Sequence, residues 1–521
     1  MLLGLCLLLL LHGARAAFTE QLTLRPLPAI NQVLGHFAFS VDETSSRNGA
    51  SLFPNVLRQI LEKHDAESLH LTFSVGRYAD WRYGSAQSFN SSNAPFGTRL
   101  QVALRGDKDL QLRWRGITSE LGGIFSASLN QMDETVVTGL MAGSIPQELG
   151  AFPTTKANPA LVFLHGSLAR EELCTENLTP WLKMLPCRAI SGLGALIDPI
   201  NAVSGEYLSL SLFAERSRDG NWRLRQHLTM VQSPSKLNRL RWSLGSLFFA
   251  NDQPNVDIAA CPLAEESVIH TEGMVSSDVV TTDLRKQPVS LSTSWFEGWK
   301  LAAEEAASQS SYKAQQNVVS AHRFVTGYGQ VRGGIAVQLK NNHPSCGMRL
   351  TYHDVIPWYL RMYFHTFRAT AGGSEQKAQE LIEEFDFVPA ELRGRPNQLR
   401  LKAYLPANTT LIFSLQMEKA FLRLSEHPPD ANRGFDIASG IATFDVVRDA
   451  TEGCKEAEAH FTTTLFTEPL LVPLPTPDFS MPYNVITMTS TVVAFFVGTM
   501  LNALLRKAPR LKQMMTSNPN K

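Results

Sequence analysis

The stretch CTENLTPWLKMLPC, residues 174–187, places two thiols around an Asn177-Leu-Thr sequon, with Pro180 directly behind it. A thiol can be a tether, a metal ligand or a nucleophile, so the cysteine count comes first. Cys6 lies in an N-terminal apolar run, which leaves Cys174, Cys187, Cys261, Cys346 and Cys454. Five cannot all pair within one chain. An odd cysteine points to an intermolecular bond, a free reactive thiol, or a buried thiol acting as a small apolar residue. Spacing alone leaves the connectivity open.

Other catalytic patterns are missing. The chain has no G-x-S-x-G, H-E-x-x-H or C-x-x-C. No His or Asn context marks Cys174 as a nucleophile. The glycines of TGYGQVRGG, from Thr326, are spaced for a turn or bulge, since the third falls one position late for a dinucleotide fingerprint. His343, His353 and His365 lack metal-ligand spacing. No cofactor or metal site is expected. Lys plus Arg and Asp plus Glu both number 48, which gives no global field for nucleic acid.

The ends set the compartment. Leu2 to Leu11 is too short to span a bilayer and suits a signal peptide, with Ala14 and Ala16 forming a small-x-small cleavage site. The expected mature chain begins at Ala17. Residues 485–505 carry no formal charge and are long enough to cross about 30 Å. Arg506, Lys507, Arg510 and Lys512 follow, so the tail 506–521 is expected to be cytosolic. A GPI-attachment signal would end in its apolar stretch, and this chain runs on. Type I topology follows, in an oxidising compartment where cysteines pair. Asn90-Ser-Ser, Asn177-Leu-Thr and Asn408-Thr-Thr are sequons. Asn90 and Asn408 read as loop acceptors, while Pro180 counts against Asn177.

The elements between are mostly strands. Period-two alternation marks 110–116, 222–230 (broken at Gln226) and 399–406 as half-buried antiparallel strands. LHLTFSV, TRLQVAL, YLSLSLFAE, GIAVQLK and TTLIFSLQM add further strands. Helices are expected at 53–64, through Val56, Ile60 and Leu61, and at 374–385, capped by Ser374 and burying Ala378, Leu381, Ile382 and Phe385. The expected fold is mainly β, α+β in class: lumenal antiparallel β-sandwich-like domains, a few helices, one C-terminal transmembrane helix. Domains are expected at 17–300 and 317–466, joined by an Ala/Ser-rich connector at 301–316. A proline-rich juxtamembrane segment, 467–484, is extended by its five prolines and should lie against protein or the membrane surface. In the span, Thr487, Thr491, Ala494, Gly498 and Asn502 share one helical stripe, small and polar enough to form a helix–helix interface. Thr489 and Thr499 lie off it.

TEPLLVPLPTPDFSMPYNVI, running into the span, and LCTENLTPWLKMLPC resemble the PIG-T family of glycosylphosphatidylinositol (GPI) transamidase subunits. LHLTFSVGRYADWRYG, GGIFSASLN, CPLAEES, FVTGYG and DVIPWYLRMYFHTF resemble it in the same order, covering about residues 20 to 500. The stretches around Cys346 and Cys454 match no family motif. The resemblance implies a non-catalytic scaffold in the endoplasmic reticulum membrane. That complex replaces the C-terminal signal of proproteins with a GPI anchor. It implies a disulfide from Cys174 to the caspase-like catalytic subunit PIG-K, contact with other membrane subunits, and access to the GPI lipid and proprotein. It further implies pairing of Cys187 with Cys261, both inside family motifs, leaving Cys346 and Cys454 for each other. Two competing readings remain. A type I cell-surface receptor or adhesion protein would carry matured glycans, and a lumenal hydrolase using Cys174 would be active without partners.

Overall fold

The computed structural model describes residues 17–505 apart from 28–29, 31, 44–50, 85–93, 139–160, 218, 233–242, 250–255, 273–278, 293–317, 328, 428–431, 447–461 and 477–479. The signal peptide, Asn90, the 301–316 connector, Cys454 and the basic tail therefore lie outside the described residues.

Twelve strands build the first unit: β1 (Ala17–Leu27), β2 (Gln32–Asp42), β3 (Ala66–Val75), β4 (Gly97–Arg105), β5 (Val137–Thr138), β6 (Leu161–Leu168), β7 (Tyr207–Arg216), β8 (Trp222–Gln232), β9 (Asp257–Ile258), β10 (Glu266–Glu272), β11 (Val279–Asp283) and β12 (Val289–Ser290). Ten of them form one sheet in the order β11-β10-β1-β2-β8-β7-β3-β4-β6-β5. Every pair is antiparallel except β1 with β10. Alternation sends Phe37, Phe39 and Val41 of β2 and Leu69, Leu71 and Phe73 of β3 to one apolar face. Three helices cover that face: α1 (Asn55–Lys63), α2 (Leu110–Phe125) and α3 (Thr175–Lys183).

Eleven strands build the second unit: β13 (Val319–Thr326), β14 (Arg332–Asn341), β15 (Met348–Ile356), β16 (Leu360–Ala371), β17 (Ile382–Val388), β18 (Asn397–Leu405), β19 (Thr409–Lys419), β20 (Phe435–Ile437), β21 (Ile441–Val446), β22 (Thr462–Phe466) and β23 (Leu470–Val472). Sheets β13-β14-β19-β16 and β17-β18-β15-β21-β22 enclose a core shared by Val337, Leu411 and Phe413 from one and Leu350, Leu401 and Phe444 from the other. This unit is the β-sandwich. A short helix, α4 (Glu375–Leu381), precedes β17. The last helix, α5 (Ser480–Leu505), is long and apolar enough to cross a membrane.

Three local readings change. Residues 110–116 are the start of α2, not a strand. Trp114, Ile117, Thr118, Leu121 and Phe125 are buried at helical spacing, while Leu112 is 73% exposed. A seven-residue window was too short to show the longer period. The 374–385 helix stops at Leu381, because Ile382 onward pairs with β18 (Ile382 opposite Ala403), so Ile382 and Phe385 belong to a strand. Pairing along a neighbouring strand overrides local helical period there. In α1, Leu57 joins Ile60 and Leu61 in the core and Val56 is half exposed. Gln226, the break in β8, is buried on the core face and donates to the Trp181 carbonyl at 3.0 Å.

The described start of the proline segment, residues 467–476, lies against protein. β23 pairs with β20, and Leu470, Val472 and Leu474 enter the second core. Glu468, at its start, ties the units together. Its carboxylate accepts from the Arg323 amide (2.8 Å), bonds His322 Nδ1 (2.8 Å), and takes the Arg77 guanidinium from the first unit. Val137 of β5 packs on Val355, Ile441 and Phe466 along the same seam.

Candidate functional site

Helix α3 carries the quoted motif, and its burial explains the sequence. Leu178, Trp181 and Leu182 face the core, and Trp181 Nε1 donates to the Ser211 carbonyl at 3.0 Å. Pro180 sits inside the helix and contributes no backbone donor. Cys174 is the N-cap, in extended conformation with φ −135°. Its amide donates to Asn177 Oδ1 at 2.8 Å, and its Sγ lies 3.1 Å from the same oxygen. Asn177 Nδ2 donates to the Phe125 carbonyl at 2.6 Å, and the side chain is 1% exposed. Asn177 therefore fixes the cap and joins α3 to α2, and its amide is not open to a glycan. Asn408 differs: it is exposed at the β18–β19 turn with φ 50°.

Cys174 is part-exposed and is the free cysteine among the described residues. Cys187, just past α3, bonds to Cys261 with Cα atoms 6.0 Å apart. Cys346 is also disulfide-bonded, while Cys454 lies outside the described residues. The Cys187–Cys261 link rests on Glu20 of β1. This buried carboxylate accepts from the Leu193 amide (3.1 Å), the Cys261 amide (3.0 Å) and Ser267 Oγ (2.6 Å). Burial pushes the Glu20 carboxyl up, against the pull of those bonds. Gly192 passes beside it with φ 72°, where a Cβ would fall 2.4 Å from Glu20 Oε2.

On α5, Thr487, Thr491, Ala494, Gly498 and Asn502 are exposed, with no atom within 4 Å of where a Gly498 Cβ would stand. The Thr487 and Thr491 hydroxyls each donate to the carbonyl four residues back at 2.8 Å. Their donors are thus met within the helix, which leaves Asn502 as the stripe's stronger candidate for a bond to a neighbour. A cleft of about 910 Å³ opens between the units beside Trp114, Glu134, Trp358, Tyr359, Arg393 and Phe435. Several of its charges are matched internally: Arg115 with Asp133 at 2.7 Å, Arg393 with Glu426. His343 accepts from the Cys346 amide at 2.8 Å, and His353 is buried on β15, so the two do different work.

What this arrangement offers chemically is a rigid, part-exposed thiol on a helix cap, apart from the paired cysteines. The chain matches the family model described as Gpi16 subunit, GPI transamidase component, over residues 2–246 and 235–520. It is similar to the GPI-anchor transamidase component PIGT of Mus musculus, 31% identical over 95% of this chain and 90% of that protein. The Homo sapiens protein of that name is 31% identical over 94% and 90%. The GPI transamidase component GPI16 of Saccharomyces cerevisiae is 27% identical over 94% and 88%.

Proposed function

The chain belongs to the Gpi16 family of GPI transamidase components, and on that premise we propose that it is the non-catalytic scaffold subunit of the transamidase. In this reading the two β-rich units lie in the lumen of the endoplasmic reticulum. They hold the caspase-like catalytic subunit, PIG-K, through a disulfide from Cys174. The complex exchanges the C-terminal signal of a proprotein for a GPI anchor, and this chain contributes geometry rather than a nucleophile. The proline segment, clamped at Glu468, sets the direction in which α5 enters the membrane. The Thr487–Asn502 stripe then faces another membrane subunit or the lipid.

One observation carries the reading: Cys174 is free and part-exposed, on a cap that cannot move without breaking the Asn177 bonds. A tether adds no chemistry. It keeps weak lumenal contacts at high effective concentration. Cells lacking their own subunit, restored with wild type or Cys174→Ser, test it through surface display of a GPI-anchored reporter. Reduced but measurable display at unchanged protein level is expected. Full display, or loss of the protein itself, would contradict the tether role.

A further inference from the structure

The charges that wall the cleft between the two units are matched, with one exception. Three arginines and four acids line it. Arg115 pairs with Asp133 at 2.7 Å, Arg395 with Glu391 at 3.3 Å, and Arg393 with Glu426. Glu134 is left over. It ends the short 3-10 helix Leu129–Glu134, between α2 and β5, and its carboxylate makes no hydrogen bond or ion pair among the described residues. Its side chain opens to the cleft, yet the walls desolvate the carboxyl, and Glu426 and then Asp133 add like charge. All three effects push its pKa up. A cation beside it reverses that push, because an opposite charge favours the ionised form.

A second group in the same cleft also lacks a partner. Tyr359 lies on the turn between β15 and β16. The residue is 5% exposed, and its hydroxyl makes no hydrogen bond among the described residues. Burial first, then Glu134 and Asp436, push the phenol up, so it stays neutral. The same effect places it within electrostatic reach of Glu134. An ammonium group has three N–H donors, and a carboxylate and a neutral phenol oxygen both accept from it. The ring of Phe435 lies 4.9 Å from that of Tyr359, and aromatic faces attract cations. The Trp358 face is already taken, with the Arg393 guanidinium 5.3 Å from its centre.

At about 910 Å³ the cleft is larger than one ammonium group needs, and its rim carries apolar side chains. Leu392, between the lining residues Glu391 and Arg393, is 66% exposed, and Phe421, next to Leu422, is 72% exposed. Large apolar side chains left exposed beside a cleft mark protein contacts.

We propose that this cleft docks a peptide segment of a partner protein, with a lysine ammonium held by Glu134 and the Tyr359 hydroxyl and its apolar neighbours against Leu392 and Phe421. Glu134 belongs to the first unit and Tyr359 to the second, so the segment bridges them. This goes beyond the transamidase role and does not depend on it.

The test uses the full-length chain in detergent and a fluorescein-labelled pentapeptide with one central lysine between leucines. Fluorescence anisotropy is followed against protein-free micelles. A saturable rise is expected. The same peptide with norleucine for lysine keeps the stem and loses the charge, and should bind roughly tenfold more weakly, as for a lost hydrogen bond to an ion. Glu134→Gln should weaken the lysine peptide by roughly the same factor, and Tyr359→Phe by roughly threefold. Glu134 has no partner to lose, so Glu134→Gln should not lower Tm, which separates lost binding from lost fold. The site is overturned if no saturable rise occurs, if the norleucine peptide binds equally well, or if either variant binds the lysine peptide as wild type does.

Discussion

Arg323 is the side chain whose removal should cost the second unit most. It is fully buried, as is its partner Asp354. Nη1 donates to Asp354 Oδ1 at 2.5 Å, and Nη2 reaches the carbonyls of Ala438 and, at 3.2 Å, Glu468. Tyr352 donates to the other Asp354 oxygen at 2.8 Å. One guanidinium thus ties β13 to β15 and to the start of the segment that leads to the membrane. Arg323→Met fills much of the volume but leaves a buried carboxylate with one hydroxyl donor. Breaking a buried pair this way costs about 3–5 kcal/mol, against a total stability of about 5–15 kcal/mol. Arg323→Met/Asp354→Leu removes both charges and should recover at least about 1 kcal/mol of that loss, because the desolvation penalty goes with them. Denaturant midpoints of the full-length protein in detergent, with a complete double-mutant cycle, give the coupling. A single-variant cost below about 1 kcal/mol, or strict additivity, would refute the buried-pair argument.

Other expectations follow from the same structure. Peptide-N-glycosidase should shift wild type and Asn177→Gln equally, whereas Asn408→Gln should remove one glycan; Asn177→Ala should also lose about 1–3 kcal/mol through its unmet partners. Burial lowers the His227 pKa to about 4. The unfolded chain therefore binds the extra proton, and stability should fall as pH drops from about 6.5 towards 4, by up to about 1.4 kcal/mol per pH unit for this group. His227→Gln should flatten that slope in acid-unfolding curves, and an unchanged slope would show that the ring is not held neutral. Replacing Gly498 and Asn502 with Leu should release a membrane partner in a detergent pull-down; unchanged recovery would rule out the stripe as an interface.

What the sequence revealed depended on period and on neighbours. β18 shows its core face in Leu399, Leu401, Ala403 and Leu405, because each alternate residue is only half buried. The polar face of the first sheet was hidden for the opposite reason. In β3 nearly every residue is buried, so His70 and Thr72 do not read as one side of a pattern. Gln226 looked like a defect in β8 until the Trp181 carbonyl appeared beside it. Counting cysteines predicted an odd thiol, and only the motif said which one. Asn177 misled most. A sequon with a proline behind it reads as a poor glycan acceptor, whereas its task as the partner of the Cys174 cap needs two elements far apart in sequence, α2 and α3. An Asn three residues after a cysteine is the local trace of that cap, weaker than the usual Ser or Thr with Glu.

A gel shows whether Cys174 tethers a partner. Membranes from cells carrying wild type or Cys174→Ser are alkylated, solubilised and run with and without reductant. A wild-type band near the summed mass of this chain and the catalytic subunit is expected. That band should collapse on reduction and be missing in Cys174→Ser. Wild type migrating as a monomer under both conditions would contradict it, and the partner would then be held by non-covalent contacts alone.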